Sequence, residues 1–145
     1  MAVSAAAAEL ITRRRQRLSS PAILAGGLLA ASVALHLRDP HRDGSWLHCP
    51  WYVLTGTYCP GCGGLRAVND LTNGQVGAAA SSNLLFVGWL PLVAWWYARW
   101  VRDAWHGVRR QVDPRRAAIG AGLFLLVALA FTVARNLPFG AWLAP

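Results

Sequence analysis

Lysine is missing from this 145-residue chain, and only six acidic residues stand against fourteen arginines. Charged residues make up 14% of the sequence and apolar residues 55%, with a mean hydropathy of +0.34. That apolar excess excludes a disordered tail, which stays unfolded by having little apolar bulk to bury. The scarcity of charge is lopsided for the surface of a soluble domain, so the bilayer is the expected solvent. Paired carboxylates, a nucleophile elbow and a phosphate loop of recognised spacing are also missing, and a conventional hydrolase or kinase therefore has no visible catalytic set. No internal repeat occurs, and the alanine run at residues 5–8 is the only low-complexity stretch. The net charge of +8 does not by itself make a nucleic-acid surface, because its meaning depends on where the arginines lie.

Three stretches carry the apolar excess. Pro21 to Leu37 is seventeen residues without a formal charge, Asn83 to Ala98 sixteen, and Ala117 to Ala134 eighteen. At 1.5 Å per residue each helix would reach roughly 24–27 Å, close to the hydrocarbon thickness. The second gains length through Trp100 and Val101 if Arg99 snorkels its guanidinium to the headgroups, and Pro91 should kink it rather than end it. Buried helices of a soluble bundle would need a polar face at 3.6-residue spacing, and none is visible. The expectation is an all-α integral membrane protein with three transmembrane helices, over 21–37, 83–101 and 117–134, and a short helical extracytoplasmic cap.

The arginines set the orientation. Arg13, Arg14, Arg15 and Arg17 lie in residues 1–20, and Arg99, Arg102, Arg109, Arg110, Arg115 and Arg116 lie in the connection between the second and third stretches. By contrast, 38–82 holds only Arg38, Arg42 and Arg66, and the tail only Arg135. The positive-inside rule then places segment 1–20 and loop 102–116 in the cytoplasm, with 38–82 and 135–145 outside. Trp89, Trp95, Trp96, Tyr97, Trp100 and Trp105 cluster within or just beyond the second span, and Trp46, Trp51 and Trp142 flank the others, as interfacial aromatic belts do. The partner of the positive charge is accordingly the lipid bilayer with its anionic inner leaflet, and no nucleic acid is expected.

Arginines followed by an apolar run and Ser32-Val33-Ala34 also fit a cleaved secretory signal. Against cleavage, the run continues to Leu37, and Ala22, Gly26, Ala30 and Ala34 form a small-residue stripe of the kind that lets transmembrane helices approach closely. Ala118 and Gly122 offer a similar step in the third span. These stripes suggest a membrane protein partner or a homo-oligomer.

The outward segment contains every cysteine: Cys49, Cys59 and Cys62. Pro60 and Gly61 between two of them, followed by Gly63 and Gly64, make a tight turn that launches a helix. Leu65, Val68 and Leu71 share one face of that helix, Asn73-Gly74 ends it, and a second short helix runs from about Val76 to Ser82.

Several chemistries fit this pattern. In a zinc knuckle, Cys59 and Cys62 would point at one ion, with Cys49 as third ligand and His48 or His41 as candidates for the fourth. In a structural disulfide, Cys49 would pair with Cys59 or Cys62 and leave one thiol over. In a catalytic thiol, the helix dipole and Arg66 would favour the Cys62 thiolate, although no βαβ thioredoxin pattern surrounds the motif. Without any cysteine chemistry, the N–H groups of Gly63 and Gly64 with Arg66 would hold a lipid phosphate or other anion. The blander role for Arg66 is an i,i+4 pair with Asp70 or an interfacial anchor. Asp103 and Asp113 are expected to balance neighbouring arginines, His36 near the end of the first span reads as an interfacial residue rather than a ligand, and His106 sits in the arginine-rich connection with no carboxylate pattern around it.

The ordered residues Cys49-Pro50, Leu54-Thr55-Gly56, Cys59-Pro60-Gly61-Cys62-Gly63 and Arg66-Ala67, with Asn83 opening the next span, resemble the bacterial membrane proteins grouped as domain of unknown function 2752. The resemblance covers residues 46–100. It implies a small multi-pass protein of the bacterial cell membrane and brings no established activity. The function expected is that of a non-enzymatic component or partner-binding subunit whose cysteine motif is stabilised by metal, with zinc the candidate, or by a disulfide. The alternative is a cell-envelope thiol-redox or metal-handling protein.

Overall fold

The computed structural model describes residues 2–42, 44, 46, 49–108 and 110–145, with residues 2–11 and 13 as backbone only. His48 and Arg109, both singled out from the sequence, lie outside the described residues. Six α-helices and one 3-10 helix make up the described structure, which contains no strand: α1 (Ala2–Leu37), α2 (Pro50–Thr55), α3 (Gly64–Thr72), α4 (Val76–Ser82), α5 (Leu84–His106), α6 (Pro114–Arg135) and a 3-10 turn at Pro138–Leu143. Segments Arg14–Leu37, Leu84–His106 and Pro114–Arg135 are long and apolar enough to cross a membrane. Their large apolar side chains stay uncovered, Leu28, Trp95, Leu125 and Leu129 among them, as side chains that meet lipid would.

The chain divides into two compact units. The first comprises Met1–Ala30 and Pro91–Gln111. Here α1 begins far ahead of the expected start at Pro21, because alanines, Glu9, Leu10 and arginines all propagate a helix well. Pro21 removes one helical N–H, yet the helix runs through it. The Pro21 carbonyl accepts the Tyr97 hydroxyl at 2.9 Å, and the Pro21 side chain is fully buried. Arg14 stacks its guanidinium 4.2 Å from the Trp105 ring centre. Helix α5 continues past Val101 to His106 and ends where Gly107 turns left-handed. Asp103 pairs with Arg110, as an acid among arginines was expected to do.

The second unit comprises Ala31–Leu90 and Val112–Pro145. Asp113 caps α6 by accepting the Arg115 N–H at 3.0 Å, and Pro114 fills the first helical position, where no N–H is needed. Helices α3 and α4 pack against one another, with Gly74 supplying the left-handed turn between them. The apolar face Leu65, Val68 and Leu71 is not the buried one. Burial falls instead on Ala67, Asn69 and Asp70, and Leu65 is exposed. The inversion has a physical reason: a polar side chain taken out of water needs a partner, and Asn69 and Asp70 find theirs on this face. Asn69 donates to the Leu35 carbonyl at 2.7 Å, satisfying one of the open carbonyls at the end of α1. Asp70 accepts the Ser82 hydroxyl at 2.8 Å and lies 3.4 Å from His41 Nε2. Asp70 is thus spent on Ser82 and His41, and Arg66 makes no ion pair with it.

Gly63 precedes α3 with φ +81°, and a Cβ there would collide with the Ser82 carbonyl oxygen and with Pro145. Gly64, one residue on, has open space around it. Gly63→Ala is expected to destabilise this unit by about 1–3 kcal/mol from backbone strain alone, whereas Gly64→Ala should change little. Thermal unfolding of the two variants in detergent checks this, and equal midpoints would contradict it.

Candidate metal centre

Cys49 stands immediately before α2, and Pro50 starts that helix in the position where a missing N–H does no harm. After one and a half turns Gly56 adopts a left-handed conformation and donates to the Tyr52 carbonyl, reversing the chain. The reversal is fixed by side chains. Trp51 Nε1 donates to Thr57 Oγ1 at 3.0 Å, Thr55 and Thr57 hydroxyls share a hydrogen bond at 2.8 Å, and the Tyr52 and Tyr58 rings stack at 4.8 Å. Cys49 and Cys59, ten residues apart, are thereby brought side by side with Sγ atoms 3.5 Å apart.

The turn Cys59-Pro60-Gly61-Cys62 closes with the Cys62 N–H donating to the Cys59 carbonyl at 3.1 Å. Their sulfurs lie 3.2 Å apart, and the Cys59 N–H donates to Cys62 Sγ at 3.3 Å. All three sulfurs fall within 4.8 Å of one another, and all three cysteines are free thiols. An ion held tetrahedrally by thiolates at about 2.3 Å sets its sulfurs about 3.8 Å apart. Two of the sulfur–sulfur edges, at 3.5 and 3.2 Å, need widen by little more than half an ångström at most to reach that spacing, so this group can hold a thiophilic metal ion.

The loop carrying the thiols is clamped from outside. Asn83, 1% exposed, donates to the Pro60 carbonyl at 2.9 Å and the Cys62 carbonyl at 3.1 Å, while its Oδ1 accepts the Phe86 N–H at 2.9 Å and so caps α5. Asn136 accepts the Tyr58 N–H and donates to the Tyr58 carbonyl, each at 2.8 Å. Arg135, 2% exposed, donates through Nη1 to the Cys59 carbonyl at 2.9 Å and the Cys62 carbonyl at 3.2 Å. Its guanidinium lies 4.8 Å from the Phe131 ring centre and 5.6 Å from that of Tyr58. Neither Arg135 nor Asn136 was singled out from the sequence as a site residue. The available signal was an arginine-asparagine pair closing the third apolar run, ordinary at a membrane interface.

The thiols differ electrostatically. Burial pushes the free Cys62 thiol up to about 12, and its hydrogen bonds with the other two cysteines act in the same direction. The backbone of Tyr52, by hydrogen bonding, holds Cys49 below its ordinary value. The expectation that a helix dipole and Arg66 would favour a Cys62 thiolate is therefore reversed by burial.

The other candidate residues are placed as follows. His41 sits 2.9 Å from the Asp39 carboxylate and faces Asp70, outside the thiol group. The Gly64 N–H is spent on the Gly61 carbonyl at 3.0 Å, and the Arg66 side chain makes no hydrogen bond or ion pair with the described residues. A cleft of about 390 Å³ adjoins the thiols, with Cys49, Cys62, Arg42 and Arg66 among its walls.

Asn83→Ala should cost about 2–3 kcal/mol, because it removes a helix cap and leaves the Pro60 carbonyl without its donor. Amide hydrogen exchange over residues 59–63 checks this: exchange should accelerate there, and an unchanged rate would contradict the clamp.

No curated protein and no solved structure matches the chain. Residues 49–97, the segment that holds all three cysteines, match the family model described as Protein of unknown function (DUF2752).

Proposed function

We propose that the chain is a non-enzymatic component of the bacterial cell membrane, whose thiol centre holds a metal ion and so fixes a rigid extracytoplasmic docking surface for a partner. The observation that carries the reading is the convergence of three sulfurs from two separate segments within 4.8 Å. A small cap of short helices has little core to hold it together, and a metal staple supplies what burial does not. The stiff support of the loop by Asn83, Arg135 and Asn136 also suits a fixed scaffold better than a moving catalytic element. Uncovered small residues support docking within the membrane: no non-neighbouring atom lies within 4 Å of where a Cβ would stand at Gly26 or Gly122. A partner of another sequence and a second copy of this chain both fit such a surface, and a pull-down from native membranes distinguishes them. The cleft beside Cys49 and Cys62 favours metal handling as the second reading, since it gives an ion a route to the sulfurs.

Elemental analysis of protein purified from membranes should find one thiophilic metal ion per chain, with all three thiols alkylatable after chelation without reductant. Metal-free protein that needs reductant before alkylation would contradict the reading in favour of a disulfide. Cys62→Ser should lower metal content well below one ion per chain and loosen the cap, with the three long helices retained by circular dichroism. The arginine distribution predicts the orientation. A reporter fused near residue 60 should be active only outside the cytoplasm, and one within 102–116 only inside. The opposite pattern would overturn the topology.

A further inference from the structure

Arg135 poses an electrostatic problem that the free thiols do not solve. Its guanidinium is always charged, yet it is 2% exposed, and no carboxylate of the described residues forms an ion pair with it. Nη1 is satisfied by the Cys59 and Cys62 carbonyls, whereas Nε and Nη2 are buried without a partner. Two aromatic faces give it only weak compensation. A buried charge without a counter-charge is expensive, and helices that end at a lipid boundary can place an arginine in water at no cost.

The counter-charge is within reach, because the guanidinium is seated on the backbone of two of the three cysteines. Three protonated thiols carry no charge, and neither does a disulfide with one thiol left over. A divalent ion that binds all three sulfurs displaces three protons to water, and two positive charges on three thiolates leave a net charge of minus one. We propose that Arg135 is the counter-charge of this centre: it makes a complex of a divalent, thiophilic ion with three thiolates electrically neutral, and so favours that complex over free thiols and over a disulfide. The inference rests on the metal reading above and adds to it the charge of the ion and a positioning residue from the end of α6. It also predicts quiet sulfurs, since a neighbouring cation lowers the nucleophilicity of metal-bound thiolates.

The test uses the full chain in detergent, loaded with Zn(II), as wild type, Arg135→Lys and Arg135→Gln. Zinc affinity is read by competition with a chromophoric chelator, and alkylation of the zinc-bound thiolates by iodoacetamide is followed by intact mass. Arg135→Gln should weaken zinc binding about 10- to 100-fold, the range for loss of an outer-shell partner, and should speed alkylation. Arg135→Lys, which keeps the charge, should stay within a few-fold of wild type on both measures. Equal behaviour of wild type and Arg135→Gln would overturn the proposal, and so would a lysine variant as weak as the glutamine one. Should the glutamine variant fail to fold, the wild type alone decides through the Arg135 Nε–H resonance, assigned by its absence in Arg135→Lys. That resonance should move when Zn(II) is added, and its indifference to the ion would overturn the counter-charge. A wild-type chain that takes up no metal removes the metal reading itself, whereas zinc binding untouched by Arg135→Gln removes only the role of Arg135.

Discussion

The peptide carbonyls of the loop from Tyr58 to Cys62 must find donors, and that requirement organises the structure around the cysteines. The turn Cys59-Pro60-Gly61-Cys62 points several of these carbonyls away from any regular ladder, and a buried carbonyl left unmet is expensive. Side chains from the ends of two long helices meet the demand: Asn83 at the start of α5, Arg135 and Asn136 at the end of α6. Each is polar or charged and nearly buried or committed to the loop, so each is paid for by the hydrogen bonds it makes there. The sulfurs are held together as a consequence of how their backbone is held.

Much of this architecture can be read from the sequence, because hydropathy and arginine placement act over long stretches and average out local detail. The three apolar runs correspond to the three long helices, and the glycines after Cys62 and at Asn73-Gly74 bracket α3 as turn chemistry requires. The clustering of Cys49, Cys59 and Cys62 in one segment points to one site, and the structure brings their sulfurs together. What the sequence conceals are features set by tertiary partners. Helix α2 has only six residues and lacks a visible period, yet Trp51, Thr55 and Thr57 hold it through side-chain hydrogen bonds. The inner face of α3 carries Asn69 and Asp70 beside Ala67 because these polar side chains find their partners at Leu35, Ser82 and His41, which an apolar stripe in the sequence does not reveal. Arg135 is concealed for a different reason. At the end of an apolar run an arginine ordinarily signals an interface, and only its burial against the Cys59 and Cys62 carbonyls reveals another role.

Charge is sparse in this chain, and its placement divides into two kinds. Arg14 over Trp105, Asp103 with Arg110, and Arg116 near Asp113 each have at least one exposed partner and are pairs of the sort that add little to stability. Arg135 and Asp70 are buried and therefore consequential. Asp70 is answered by Ser82 and His41, whereas Arg135 is answered only by carbonyls and rings. An arginine so placed beside three thiols gives the free and the ion-bound states of the sulfurs different electrostatic costs, and it links the end of a long helix to the chemistry of the cap.

The claim on which the account stands is that the three sulfurs act together on one ion. X-ray absorption at the metal edge, on protein purified from its own membrane without added metal, tests it most directly. The account predicts three sulfur neighbours at about 2.3 Å around a divalent ion. A spectrum with no metal edge, or with only nitrogen and oxygen around the metal, would contradict it.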